Sequence, residues 1–189
     1  ALPPRPSLIN ASLTLGKTVR LGVLSRQRRE NADYHRRCIK KQRDTVVFCI
    51  VPVDWPDKIK KHFLVSTVMY DGTKAIVRYD DERATHFHTL FDSAAFDAIV
   101  KYYTKRFGKP TETWARRMVR LAAPAKANPT VLWRSVEPAT NLVTTLEIRQ
   151  FDDARGGFPD LRRGAIMLYH TWSSPIFPEI SHLELMMAR

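Results

Sequence analysis

Residues 45–53, Thr-Val-Val-Phe-Cys-Ile-Val-Pro-Val, form a β-branched apolar run closed by Asp54-Trp55-Pro56, which predicts a buried strand. Strand-length stretches follow at 62–70, 74–80 and 84–90. Asp71-Gly72 separates the first two and reads as a hairpin turn, because both residue types tolerate positive φ, and Asp81-Glu82 reads as the next turn. The first half therefore predicts an antiparallel meander of about four strands. After Asp92 the period changes. Phe96, Ile99, Val100, Tyr103 and Phe107 recur at the spacing of one helical face, with Asp92 or Ser93 as N-cap, Gly108 as stop and Pro110 beyond it. Residues 111–121 read as a second, shorter helix, and 122–130, with Pro124 and Pro129, as a linker inside the domain. Stretches 131–136, 142–151 and 164–172 predict three more strands, and an apolar turn at Leu183, Leu185 and Met186 ends the tail. Strands interrupted by one amphipathic helix predict an α+β fold, in which an antiparallel meander and further strands pack against that helix.

A chain of 189 residues suits one such domain over 45–189, preceded by a basic segment over 1–44 that is partly extended or helical. Hydrophobic residues at 44% and charged residues at 26% are the balance of a folded protein, not of a disordered tail. No apolar run approaches the ~18 residues of a membrane-spanning helix. The formal net charge of +12 is concentrated early. Arg26, Arg28, Arg29, Arg36, Arg37, Lys40 and Lys41 form a basic stretch broken by Glu30 and Asp33, which would draw an acidic partner through its summed potential. A solvated basic face is the plain alternative.

The start at Ala1, with a proline-rich lead to Pro6, suits a mature terminus after signal removal, and equally a trimmed chain. Cys38 and Cys49 could form a single bridge in an oxidising compartment, which would make the protein periplasmic or secreted, or could remain two unlinked thiols.

The segments Phe48-Cys49-Ile50-Val51-Pro52-Val53-Asp54-Trp55-Pro56, Ala75-Ile76-Val77-Arg78-Tyr79-Asp80 and Phe151-Asp152-Asp153-Ala154-Arg155-Gly156-Gly157-Phe158-Pro159-Asp160 resemble those of exported, uncharacterised envelope proteins of proteobacteria. Phe107-Gly108-Lys109-Pro110-Thr111 before a Trp-bearing strand is also similar to small periplasmic accessory modules. This resemblance implies a compartment and carries no activity.

Candidate chemistry is sparse. His86 and His88 leave one face of a predicted strand, but a metal needs a further ligand, and the expected register puts His62 ~13 Å from His86. The expectation is therefore no metal and no cofactor, with His86 and His88 kept as the only candidate ligands. The loop holding Asp152, Asp153, Arg155, Gly156, Gly157 and Asp160 could build a cation or substrate site, although it lacks the alternate carboxylates and closing glutamate of a calcium loop. No serine, cysteine and histidine arrangement marks a nucleophile. These residues predict an exported, non-catalytic binding or assembly module of the cell envelope, holding a protein partner or acidic ligand through its basic surface. A membrane surface is a further partner for that charge. The alternatives are a nucleic-acid-binding protein using the same basic stretch, and a hydrolase or metal-binding enzyme.

Overall fold

The structure, a computed structural model, describes residues 8–17, 19, 21–22, 38–67, 70–155 and 158–188. Among these, eight strands form one antiparallel sheet: β1 (Cys38–Lys41), β2 (Val46–Pro52), β3 (Lys74–Asp80), β4 (Arg83–Asp92), β5 (Glu112–Arg120), β6 (Ala123–Val136), β7 (Val143–Arg149) and β8 (Arg163–His170). Three helices accompany them: α1 (Asp57–Lys60), α2 (Phe96–Phe107) and α3 (His182–Met187). The sheet order is β1-β2-β3-β4-β8-β7-β6-β5. Two four-stranded meanders thus meet at the centre, where β4 pairs with β8. From β4 the chain must cross four strand spacings, about 19 Å, to reach the far edge. The 12 residues of α2 span about 18 Å, so one helix makes the crossing.

The expected helix is present with its expected ends. Asp92 Oδ1 accepts from the Ala94 N–H at 3.0 Å, and Gly108, at φ 85°, closes the last turn onto the Thr104 carbonyl. The α+β class is nevertheless corrected: the described residues are essentially all-β, a single sheet with one long helix. Most of the difference lies in 111–130, expected to be helix and linker. Those residues make β5 and the first half of β6. Pro129 is tolerated because it stands one residue past the last β6–β7 pair, Thr130 with Arg149, where its carbonyl accepts from Gln150. The strand expected at 62–70 is also not found among the described residues: His62 and Phe63 lie in a 3₁₀ turn, and over 64–67 only Ser66 makes an isolated bridge, to Asp71. Ile59 and Phe63, on α1 and the short 3₁₀ turn after it, are buried, and Phe63 stacks on Trp55 at 3.6 Å. Gly72 precedes β3 in a turn whose backbone closeness demands glycine, since a Cβ there would lie 2.4 Å from the Leu90 carbonyl.

Both faces of the sheet are covered. On one, Val47, Val77, Phe87, Leu146 and Leu168 pack with Ile99 and Tyr103 of α2, with Trp55 and Phe63, and with Leu13 and Leu15. Tyr103 donates to the Leu15 carbonyl at 2.5 Å, which pins this early segment onto the helix. On the other face Phe48, Ile50, Ile76 and Leu90 pack against Tyr70 and the C-terminal Ile176, Phe177, Ile180 and Leu185. Cys38 and Cys49 stand directly opposite in the β1–β2 register and are joined by a disulfide. No helix among the described residues is long and apolar enough to cross a membrane.

Candidate functional site

The second face carries polar side chains as well as apolar ones. Period-two alternation sends His86 and His88 from β4, Met167 and Tyr169 from β8, and Glu147 and Arg149 from β7 to the same side. Arg116 of β5, and Asp153 and Ala154 of the loop after β7, reach in from the flank, and Ser173, Pro175, Ile176 and Phe177 roof the space. Together they line a half-open pocket of about 390 Å³.

The two histidines differ. His88 is buried with both ring nitrogens engaged: Nδ1 meets the Tyr70 hydroxyl, and Nε2 lies 3.3 Å from Asp152 Oδ1. Asp152 also accepts from Arg155 Nε at 2.9 Å and from the Ala154 N–H at 3.3 Å. Burial pushes the Asp152 carboxyl up, but His88, Arg155 and the Ala154 N–H together outweigh it and hold the group below its ordinary value. Tyr70, fully enclosed, is raised by burial and then by Asp152. Tyr70, His88, Asp152 and Arg155 therefore form a connected network in which both ring nitrogens of His88 are engaged.

His86 is 7% exposed and its Nδ1 has no hydrogen-bond partner among the described residues. Burial, then the neighbouring His88, Arg78 and Arg149, depress its pKa to about 3, against a smaller opposing effect of the Ser174 backbone. The ring is neutral at physiological pH and offers an acceptor or a donor, according to tautomer, at the pocket wall.

The remaining charges balance. Arg149 Nε donates to Glu147 Oε1 and Nη1 to Asp153 Oδ1, both at 2.6 Å, while Tyr169 donates to Glu147 Oε2 at 2.7 Å. Arg116 Nε reaches Asp153 Oδ2 at 3.4 Å. Burial and then Glu147 raise the Tyr169 hydroxyl, so it remains a donor. Two arginines face two carboxylates, and the lining selects no net charge.

The anticipated residues are thus dispersed. His86 and His88 line one pocket, and His86 sits opposite Arg78, not Val77 as the turn-to-turn count implies, because a bulge between Arg78 and Tyr79 shifts the register. Asp152 is interior and Asp153 faces the pocket, while Asp160 bridges back to Asp152 as the loop closes. Gly156 and Gly157 lie outside the described residues, as do Arg26, Arg28, Arg29, Arg36 and Arg37. Lys40 and Lys41 are on β1, where Lys41 pairs with Glu184 of α3. Among the described residues no three His, Cys, Asp or Glu side chains converge as a metal site. Sequence reading missed Glu147, Arg149, Tyr169 and Tyr70. Alternation of charge with Leu146 and Ile148 looks like a solvated strand face until the roof over it is known. Set beside family models, curated proteins and solved structures, the chain matches none of them.

Proposed function

We propose that this is an exported, disulfide-stabilised binding module that holds a compact, uncharged, hydrogen-bonding ligand between its sheet and its C-terminal roof. One observation carries the reading: His86 lines the pocket, and its buried Nδ1 has no hydrogen-bond partner among the described residues. An orphaned polar atom costs free energy unless something meets it, and a ligand N–H or O–H does so. Met167, Ile176 and Phe177 supply the apolar contact that pockets of this size use for affinity. Binding is favoured over catalysis because a general base works best with a pKa near the operating pH, and His86 lies far below it. The Cys38–Cys49 bridge supports an oxidising compartment such as the periplasm. In this reading the basic stretch over 26–43 draws an acidic partner to the same module.

The test is ligand-observed NMR with phenols, amides and ureas of fragment size. Hits are expected against the wild type and lost both in His86→Phe, which keeps the ring and removes the nitrogen, and in Ala154→Phe, which fills the space. Hits that survive both variants would place binding elsewhere, and an absence of hits together with no small molecule retained in native mass spectrometry would end the proposal.

A further inference from the structure

The β5–β6 hairpin outreaches the sheet. β7 ends opposite Thr130, so residues 115–129 continue as a two-stranded ribbon. Its root is packed: Met118 is buried, Lys126 lies 4.5 Å from the Phe151 ring centre, and Asn128 exchanges hydrogen bonds with the Phe151 backbone. Its tip is not. Val119 is 67% and Leu121 71% exposed, and Ala122, Ala123, Pro124 and Ala125 around them are exposed too. The single charge in the tip, Arg120, is folded back, with Nε and Nη2 donating to the Pro124 carbonyl at 3.1 and 3.0 Å.

Two features set this surface apart from scattered exposed residues. From Thr113 to Val136 the chain has no Asp or Glu, while Arg117 and Lys126, both exposed, stand behind the tip and Arg120 lies within it; Arg116 is held by Asp153. The apolar part also measures two to three residues along the ribbon, about 7–10 Å at strand rise, which matches the depth at which interfacial segments sit in a bilayer. An acidic protein or a nucleic acid would use the cations but would gain little from a tip of Val, Leu, Ala and Pro. Anionic lipid uses both, phosphates with the cations and acyl chains with the tip.

We propose that the ribbon is a docking finger for an anionic membrane surface, with residues 119–125 entering the headgroup–acyl boundary and Arg117 and Lys126 engaging lipid phosphates. This rests on no property of the pocket. The full chain should co-sediment with vesicles of phosphatidylcholine and phosphatidylglycerol at 7:3, and much less with phosphatidylcholine alone. Val119→Asp/Leu121→Asp should lower the partition coefficient at least tenfold, and Arg117→Glu roughly tenfold. Leu64→Asp, at a residue 67% exposed outside the ribbon, should leave it unchanged. Circular dichroism checks that these surface variants fold. The finger is overturned if the wild type fails to pellet with the anionic vesicles, or if Leu64→Asp weakens pelleting as much as the tip variant does. Loss with Arg117→Glu but not with the tip variant would also overturn it, as the mark of an acidic macromolecule bound by charge alone.

Discussion

His86 of β4 and Tyr169 of β8 are register partners whose rings stack at 5.0 Å, 20° from parallel. The stack closes over the imidazole, and burial holds its pKa near 3 in the folded chain against an ordinary 6.5. Between those values the unfolded chain binds a proton that the folded one refuses. Stability is therefore full above pH 6.5 and is lost as pH falls, by up to about 1.4 kcal/mol per unit. His62 and His170 are lowered by burial as well and act in the same direction. Urea melts at pH 7.5, 6.5 and 5.5 should show His86→Gln with a flatter decline than the wild type. Parallel declines would mean that His86 takes up its proton in the folded state.

Asp152 and Asp153 are adjacent but unequal. Asp152→Asn leaves the buried His88 and the half-buried Arg155 without their carboxylate, a loss in the range of about 3–5 kcal/mol for breaking an interior pair. Asp153→Asn leaves Arg149 its Glu147 partner and should cost much less. Chemical denaturation ranks the two, and an Asp153 variant at least as damaged as the Asp152 variant would contradict the network described above.

Replacing both Cys38 and Cys49 by Ser removes the covalent link between β1 and β2. Closing a loop with a sequence separation of 11 is worth about 3 kcal/mol on the chain-entropy account, so the midpoint of denaturation should fall accordingly. Intact mass after alkylation, with and without reductant, reports the bridge itself. Two thiols alkylated without reductant would show that it is absent.

Gly164 of β8 lies under the ring of Phe91, its register partner on β4, and an added Cβ would be 2.1 Å from Phe91 Cζ. Gly164→Ala should cost about 1–3 kcal/mol through overpacking at the centre of the sheet. Adding Phe91→Leu should recover part of that loss in a double-mutant cycle. Strict additivity would mean that the two sites do not press on each other.

What the sequence disclosed follows from where burial is two-sided. Val46–Pro52, Lys74–Asp80, Val143–Arg149 and Arg163–His170 are legible as strands because apolar residues fill at least one packed face, and α2 because its stripe, cap and glycine stop agree. The β5–β6 ribbon has no such stripe. With its outer half exposed on both faces, only cross-strand pairing marks it as sheet, and Pro124 and Pro129 point towards a loop. The pocket was equally hidden: His86, Glu147 and Tyr169 come from three strands and acquire their meaning from a roof at Ile176 and Phe177. The shifted register at Arg78 is a one-residue event that no pattern along the chain records.

Pairing of β4 with β8 also sets a timetable. In a chain synthesised from its N-terminus, β1 to β4 can pair as soon as Asp92 emerges, yet the free edge of β4 waits for the 70 residues from Ser93 to Arg162. At ribosomal rates that is roughly 4–14 s with an unpaired central edge bearing Phe87, Leu90 and Phe91. The nascent half-sheet is a substrate for any holding chaperone during that interval. Ile176 and Phe177 emerge later still, so the pocket between sheet and roof takes shape only after β8 and the segment beyond it have been made.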